Sequence, residues 1–257
     1  MIKKTLTAVA ALALTANAAS AANVLIFGDR GYAQDEVQTI LEGQGDTVTN
    51  VSRSSVPVDL SVFDTVWSLS YNSSYGTALE DQLIDFVANG GGLYLTFERP
   101  CCEAANDSVE RIIDSSLLAG DVTVGGFGDV SGTFTYNANA IGNLDADLAV
   151  GWPPSSPGQI SGVSGRNVVV SSDVTGRAVA AGWDETDLGA GRIAAFGDID
   201  WLNSVDANEA QVVLNTQEFL YDGYVGPNPD PVPLPAGGVL LVTGLGAMVV
   251  SRRRATR

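Results

Sequence analysis

Between Asn23 and Phe97 short apolar runs alternate with amphipathic stretches, and this alternation restricts the chain to few architectures. Asn23–Gly28 (Asn-Val-Leu-Ile-Phe-Gly) has the composition of a strand buried on both faces. Val37, Ile40 and Leu41 then share one helical face, which Gly43 can end. Thr47–Val51 and Phe63–Leu69 are a second and a third strand. Leu79, Leu83, Phe86 and Val87 form the apolar stripe of a second helix, and Thr77 and Glu80 have capping-box spacing. Asn89-Gly90-Gly91-Gly92 closes that helix, and Leu93–Phe97 is a fourth strand. Such an order packs into an α/β fold, a mostly parallel sheet flanked by helices.

The second half is more mixed. Asn106 is placed to cap a helix carrying Val109, Ile112, Ile113 and Leu117. From Asp121 to Asp187 Gly, Ser, Thr and Asn increase, and short runs appear at Gly132–Tyr136, Val168–Ser171 and Arg177–Gly182. These read as an inserted antiparallel β region, with Trp152–Pro157 as a loop. Arg192–Gly197 returns to buried-strand composition, and Asn208–Leu220 is a final helix. Asp222–Pro231, with Gly223, Gly226, Pro227, Pro229 and Pro231, is a linker. The expected organisation is a leader at 1–21, one α/β domain at 22–221, the linker at 222–231 and a tail at 232–257.

Both ends carry address signals. Lys3 and Lys4 precede the alanine-rich apolar stretch Leu6–Leu14, and Ala19-Ser20-Ala21 fits the small-x-small cleavage rule. This reads as a secretory leader, with a mature chain starting at Ala22. At the other end Val232-Pro233-Leu234-Pro235-Ala236 precedes the 14-residue apolar run Gly237–Val250 and then Arg252, Arg253, Arg254 and Arg257. Arginines resist crossing a membrane and so act as a stop. The run is shorter than the roughly 20 residues of a lasting span. Its glycines at 237, 238, 244 and 246 weaken a lone helix. This tail closely resembles the VPLPA-CTERM variant of the PEP-CTERM sorting signals, with an ordinary single-pass anchor as the alternative. The resemblance implies secretion machinery and an exosortase-type processing enzyme as partners, which cuts near the motif and passes the chain to the cell surface. Membrane contact is then expected only through the C-terminal segment, and only transiently.

Charge and residue absences narrow the chemistry. Six of the 13 basic residues lie in the two tails and none of the 30 acidic ones does. The body therefore carries seven arginines, no lysine and a formal charge of −23. Such a surface repels nucleic acid. It is either a solvated acidic face or one adapted to salt or cations, and calcium is the one cofactor it would favour. The chain has no histidine, which removes Ser-His-Asp and Cys-His catalysis and His-ligated metal centres. Cys101 and Cys102 are adjacent. They can close a small ring as a vicinal disulfide, bind a soft metal or sit as thiols.

Three segments resemble the class I glutamine amidotransferase-like fold, in its non-catalytic extracellular and scaffold branches. They are Phe63–Trp67 before a serine-rich loop, Asn89–Leu95, and Leu188–Asp198 before the last helix. The departure from that family is equally informative. Its catalysis, as the resemblance implies, needs a cysteine in a Gly-x-Cys-x-Gly elbow with a His and a Glu. Here Leu93–Phe97 runs into Glu98-Arg99-Pro100-Cys101-Cys102, without flanking glycines and without a histidine to take the thiol proton.

In an open parallel sheet, ligands bind beyond the carboxyl ends of the strands. That edge would gather Asp29, Arg30, Tyr71, Asn72, Tyr75, Glu98, Arg99, Cys101, Cys102, Glu103, Asn106, Asp198, Asp200 and Trp201. The candidate binding residues are Asp29, Glu98, Cys101, Cys102, Glu103, Asp198 and Asp200. Asp29, Glu98, Asp198 and Asp200 suit a hard cation. Two such carboxylates also suit glycoside hydrolysis. The third reading is structural, with Arg30 and Arg99 pairing the acids and Asp198 bracing a loop. Trp152 and Trp201 are either sugar-stacking faces or core. The expected function is that of an exported, surface-sorted, non-enzymatic protein of the envelope or extracellular matrix, with a polysaccharide partner. A carboxylate hydrolase and a calcium-stabilised surface module are the alternatives.

Overall fold

The computed structural model of this chain describes residues 21–144 and 152–221, apart from 129, 131, 153 and 155. The leader with Ala19, the linker and the sorting tail with Val232–Ala236 lie outside the described residues. Among the described residues no helix is long and apolar enough to cross a membrane.

The strands are β1 (Asn23–Gly28), β2 (Thr47–Ser52), β3 (Thr65–Leu69), β4 (Gly92–Phe97), β5 (Thr123–Val124), β6 (Phe134–Tyr136), β7 (Ile160–Ser161), β8 (Val168–Ser172), β9 (Ala178–Trp183) and β10 (Arg192–Gly197). The helices are α1 (Gly31–Gln44), α2 (Thr77–Ala88), α3 (Glu103–Ser116), α4 (Glu185–Leu188) and α5 (Ala207–Tyr221). All ten strands join one sheet. Its order runs β2-β1-β3-β4-β10-β9-β7-β5, with β8 also paired to β9 and β6 to β8. The first five in that order are parallel, and the rest add antiparallel. The architecture is thus the expected mostly parallel sheet with an antiparallel extension.

Alternation along each strand sorts side chains between two cores. Val24, Ile26, Trp67, Tyr94, Ala194 and Phe196 face α1 and α5. Leu25, Phe27, Val66, Leu93, Leu95 and Ala195 face α2 and α3. Trp67 stacks on Tyr94 at 4.4 Å between ring centroids, a consequence of their direct pairing across β3 and β4. Burying each large side chain contributes about 1.5–3 kcal/mol. The Trp67 indole and the Thr65 hydroxyl both donate to Gln217 Oε1, so α5 is keyed to the start of β3.

Helix ends differ from the sequence reading in three places. α1 runs on to Gln44 and is closed by Gly45 at φ 103°, a left-handed conformation that glycine adopts without strain, so Gly43 lies inside the helix. α2 has Gly76 at its N-cap and no side-chain cap. Glu80 is buried and accepts from Ser108 Oγ and Arg111 Nη1, so the Thr77–Glu80 spacing forms no capping box. α3 begins at Glu103, which places Asn106 within its first turn instead of at its cap. A capping box does form at α4, between Asp184 and Asp187.

Candidate functional site

Strand order fixes where a ligand can approach. β1 connects to β2 on one side and is flanked by β3 on the other, so the sheet's topological switch lies at the carboxyl ends of β1 and β3. β1 and β3 run close there: a Cβ on Gly28 would collide with the Leu69 carbonyl. Residues 29–30 leave β1 and residues 70–72 leave β3 at this point.

Asp29 is exposed, and its Oδ1 accepts the Tyr71 backbone N–H at 3.2 Å. The Arg30 guanidinium lies over the Tyr71 ring, 4.0 Å from its centroid, and 5.6 Å from the Tyr32 centroid. The expected pairing of Arg30 with the acids is therefore replaced by stacking. The Arg30 Nε is buried without a hydrogen-bond partner among the described residues. Tyr32 donates its hydroxyl to Asp200 Oδ1. Burial first, and then the bond to Asp200, push the Tyr32 hydroxyl well above the usual tyrosine range.

Glu98 and Asp198 follow the adjacent strands β4 and β10 and are 6% and 3% exposed. Glu98 Oε1 accepts the Ile199 N–H at 2.8 Å. Its carboxyl is pushed up to about 7, chiefly by burial, with the charges of Asp198 and Asp200 adding and that of Arg99 opposing. Asp198 accepts from the N–H groups of Asp200 at 2.8 Å and Ser156 at 3.1 Å. Its φ is 87°, and among the described residues it alone among non-glycines has positive φ. That conformation costs about 1–2 kcal/mol and persists because the side chain ties down both flanking segments.

The remaining candidates brace the same edge. Cys101 and Cys102 form a vicinal disulfide, with Cys101 exposed and Cys102 buried at the N-cap of α3. Glu103 accepts the Gly126 N–H at 3.2 Å. Tyr75 is buried and its hydroxyl accepts from Ser68 Oγ, so it belongs to the core beneath the edge. Trp152 and Trp201 are also buried, 5.9 Å apart edge to face, and offer no open face for stacking. Among the described residues no three acidic or sulfur ligands converge as a metal-holding cluster. The Tyr94 and Thr96 hydroxyls and the Trp201 indole N–H are buried near one another, yet none reaches hydrogen-bond geometry.

A separate groove of about 1630 Å³ runs between the 52–63 segment and α2, lined by Arg53, Leu60, Phe63, Leu79 and Phe86 among others. Of the candidate acids it reaches only Asp29. Its size alone gives it no chemistry. Arg53 is already engaged with the Ser73 and Ser74 carbonyls. The titratable groups gather at the strand ends, which are the better candidate. The residues that sequence reasoning undervalued are Arg30 and Tyr32. The signal for them was the placement of a lone arginine and a tyrosine directly after the first strand.

No family model and no curated protein matches the chain. Solved structures do resemble it. A ThuA-like protein from Parabacteroides merdae aligns at TM-score 0.53 and 14% identity, over 84% of this chain and 95% of that one. The N-terminal domain of mmIFT52 aligns at TM-score 0.56 and 11% identity, over 79% of this chain and 99% of that one. The carbohydrate deacetylase Agd3 aligns at TM-score 0.51 and 13% identity, over 79% of this chain but 33% of its own length. At these identities the likeness is one of fold.

Proposed function

We propose that this chain is exported and sorted to the cell envelope, cell surface or extracellular matrix. There its α/β domain acts as a non-enzymatic binding module whose ligand class is glycan. Export rests on the leader at residues 1–21 and on the Val232–Ala236 motif with its apolar run and arginines. The observation that carries the binding role is the use made of the edge acids. Glu98 and Asp198 accept backbone N–H groups from Ile199, Asp200 and Ser156, so they shape the edge. The open groups beside them are Asp29, Arg30, Tyr71 and Asp200. Glycan as the class is supported by the fold likeness to a carbohydrate deacetylase. It is also what exposed carboxylates beside an arginine at a rigid sheet edge suit. A glycan array with the purified exported protein tests this: selective retention of acidic or neutral polysaccharides is expected, and retention of none defeats it. Mass spectrometry of the exported protein tests processing, with Ala22 expected as its first residue.

One observation favours a second reading, a carboxylate-dependent hydrolase. Glu98, pushed up to about 7 by burial, is shared between its protonated and ionised forms near neutral pH and lies beside a second carboxyl. Under that reading Glu98→Gln and Asp198→Asn each abolish turnover of a responsive glycoside. Turnover retained in both variants removes it.

A further inference from the structure

Seven arginines serve a body with a charge of −23, and most are committed. Arg53 donates to the carbonyls of Ser73 and Ser74. Arg111 pairs Glu80 and Asp81, Arg166 pairs Asp184 and Asp187, and Arg192 pairs Glu185. Arg30 differs. Among the described residues its guanidinium makes no hydrogen bond or ion pair, and its one strong contact is the Tyr71 ring beneath it. Stacking fixes the plane of a guanidinium and leaves its edge donors free. The Tyr71 backbone is in turn held by Asp29. A pre-oriented, unengaged arginine thus stands at the topological switch, where open parallel sheets take their ligands.

The neighbours define the ligand further. Asp29 Oδ2 and Asp200 Oδ2 accept no hydrogen bond among the described residues, whereas the other oxygen of each does. Both side chains are exposed. A dense anion such as phosphate would meet two carboxylates here and be repelled. A neutral sugar would leave the arginine fork unused. A sugar ring bearing one carboxylate satisfies both demands: its carboxylate receives two parallel N–H bonds from Arg30, and its hydroxyls donate to Asp29 and Asp200.

We propose that the β1–β3 switch point is a binding site for uronic-acid residues of an acidic polysaccharide, with Arg30 as the carboxylate clamp and Asp29 and Asp200 as hydroxyl acceptors. This rests on the glycan reading above and narrows it to one sugar chemistry and one place. Tyr32 is a positioning residue, because its hydroxyl orients Asp200.

The test is isothermal titration of the exported protein, in EDTA, with oligogalacturonate, with a neutral oligosaccharide of equal length and with inorganic phosphate. Oligogalacturonate is expected to bind, and more tightly as salt screens its repulsion from the acidic body. Arg30→Gln should weaken it at least about tenfold, and Arg30→Lys should weaken it less, because lysine keeps the charge and loses the fork. Unchanged melting temperatures in both variants show that folding is intact. Wild-type affinity in Arg30→Gln overturns the proposal, as does phosphate competing as well as the uronate. Binding of the neutral oligosaccharide without the uronate overturns the proposal and leaves the glycan reading standing. Binding of neither sugar defeats both.

Discussion

Asn106 brackets the backbone of Glu98: its Nδ2 donates to the Glu98 carbonyl and its Oδ1 accepts the Glu98 N–H, both at 2.8 Å. Asn106 is fully buried in the first turn of α3, so these bonds fasten the helix to the end of β4 and fix the loop that carries the disulfide. An asparagine amide is the smallest side chain that presents a donor and an acceptor side by side. The position therefore depends on both functions of one group.

Asn106→Ala should leave a buried N–H and a buried carbonyl without partners and cost about 3 kcal/mol. Asn106→Asp keeps the acceptor but loses the donor and places a second carboxyl against Glu98. It should be less damaging at pH 5 than at pH 8. Urea unfolding at the two pH values checks both. A cost below about 1 kcal/mol for Asn106→Ala would show that water replaces the bracket.

Glu98 gives the fold a pH dependence with a defined sign. Its folded pKa, about 7, lies above the ordinary glutamate value of 4.5, so the folded state holds the proton more tightly than the unfolded chain. Its contribution is favourable below about pH 4.5 and is lost as pH rises through about 7. The full difference is on the order of 3 kcal/mol. Glu98→Gln keeps an acceptor for Ile199 and cannot ionise. It should flatten the stability–pH curve between pH 5 and pH 8. Parallel slopes in the two proteins would show that Glu98 is not the titrating group.

The parallel half of the sheet was legible because β1, β3, β4 and β10 are short apolar runs punctuated by glycine or polar loops, and burial on both faces leaves that imprint. β6, β8 and β9 were legible as β structure from their alternation. β5 and β7 were not, since two residues cannot show a period. The helix starts failed for a local reason: Gly76 leaves α2 uncapped, and Glu80 turns to Ser108 and Arg111 on α3. The edge acids were found because strand order places them, but their roles were not. The left-handed backbone of Asp198 and the stacking of Arg30 on Tyr71 are set by tertiary contacts, and neither has a local sequence signature.

The Arg166 cluster should govern acid stability elsewhere in the domain. Arg166 donates to both oxygens of Asp184, at 2.6 and 2.9 Å, and to Asp187 at 2.9 Å. The first of these contacts is the main reason that the Asp184 carboxyl is drawn down to about 2. Its folded pKa lies below the ordinary aspartate value of 3.8, so its stabilisation is present above about pH 4 and is lost as pH falls through about 2. Arg166 is 39% exposed, and solvent screening limits the pair to about 1 kcal/mol. Asp184→Asn also weakens the α4 capping box. It should lower the melting temperature at pH 7 and narrow the gap to wild type at pH 2. An equal gap at both values would assign the loss to the cap alone.

Asp198 separates backbone strain from hydrogen bonding in a three-member series. Its side chain holds Ser156 and Asp200, while its φ of 87° suits glycine and asparagine better than alanine. Asp198→Asn keeps an acceptor and the tolerated backbone, and should be the mildest change. Asp198→Gly loses both bonds but relieves the strain. Asp198→Ala loses the bonds and keeps the strain, and should be the worst by about 1 kcal/mol relative to glycine. Chemical unfolding of the three proteins at pH 7 gives the order directly. Alanine and glycine at equal stability would mean that the segment relaxes to negative φ once the carboxylate is removed, so that the two hydrogen bonds, and not the chain path between β10 and α5, impose the left-handed turn.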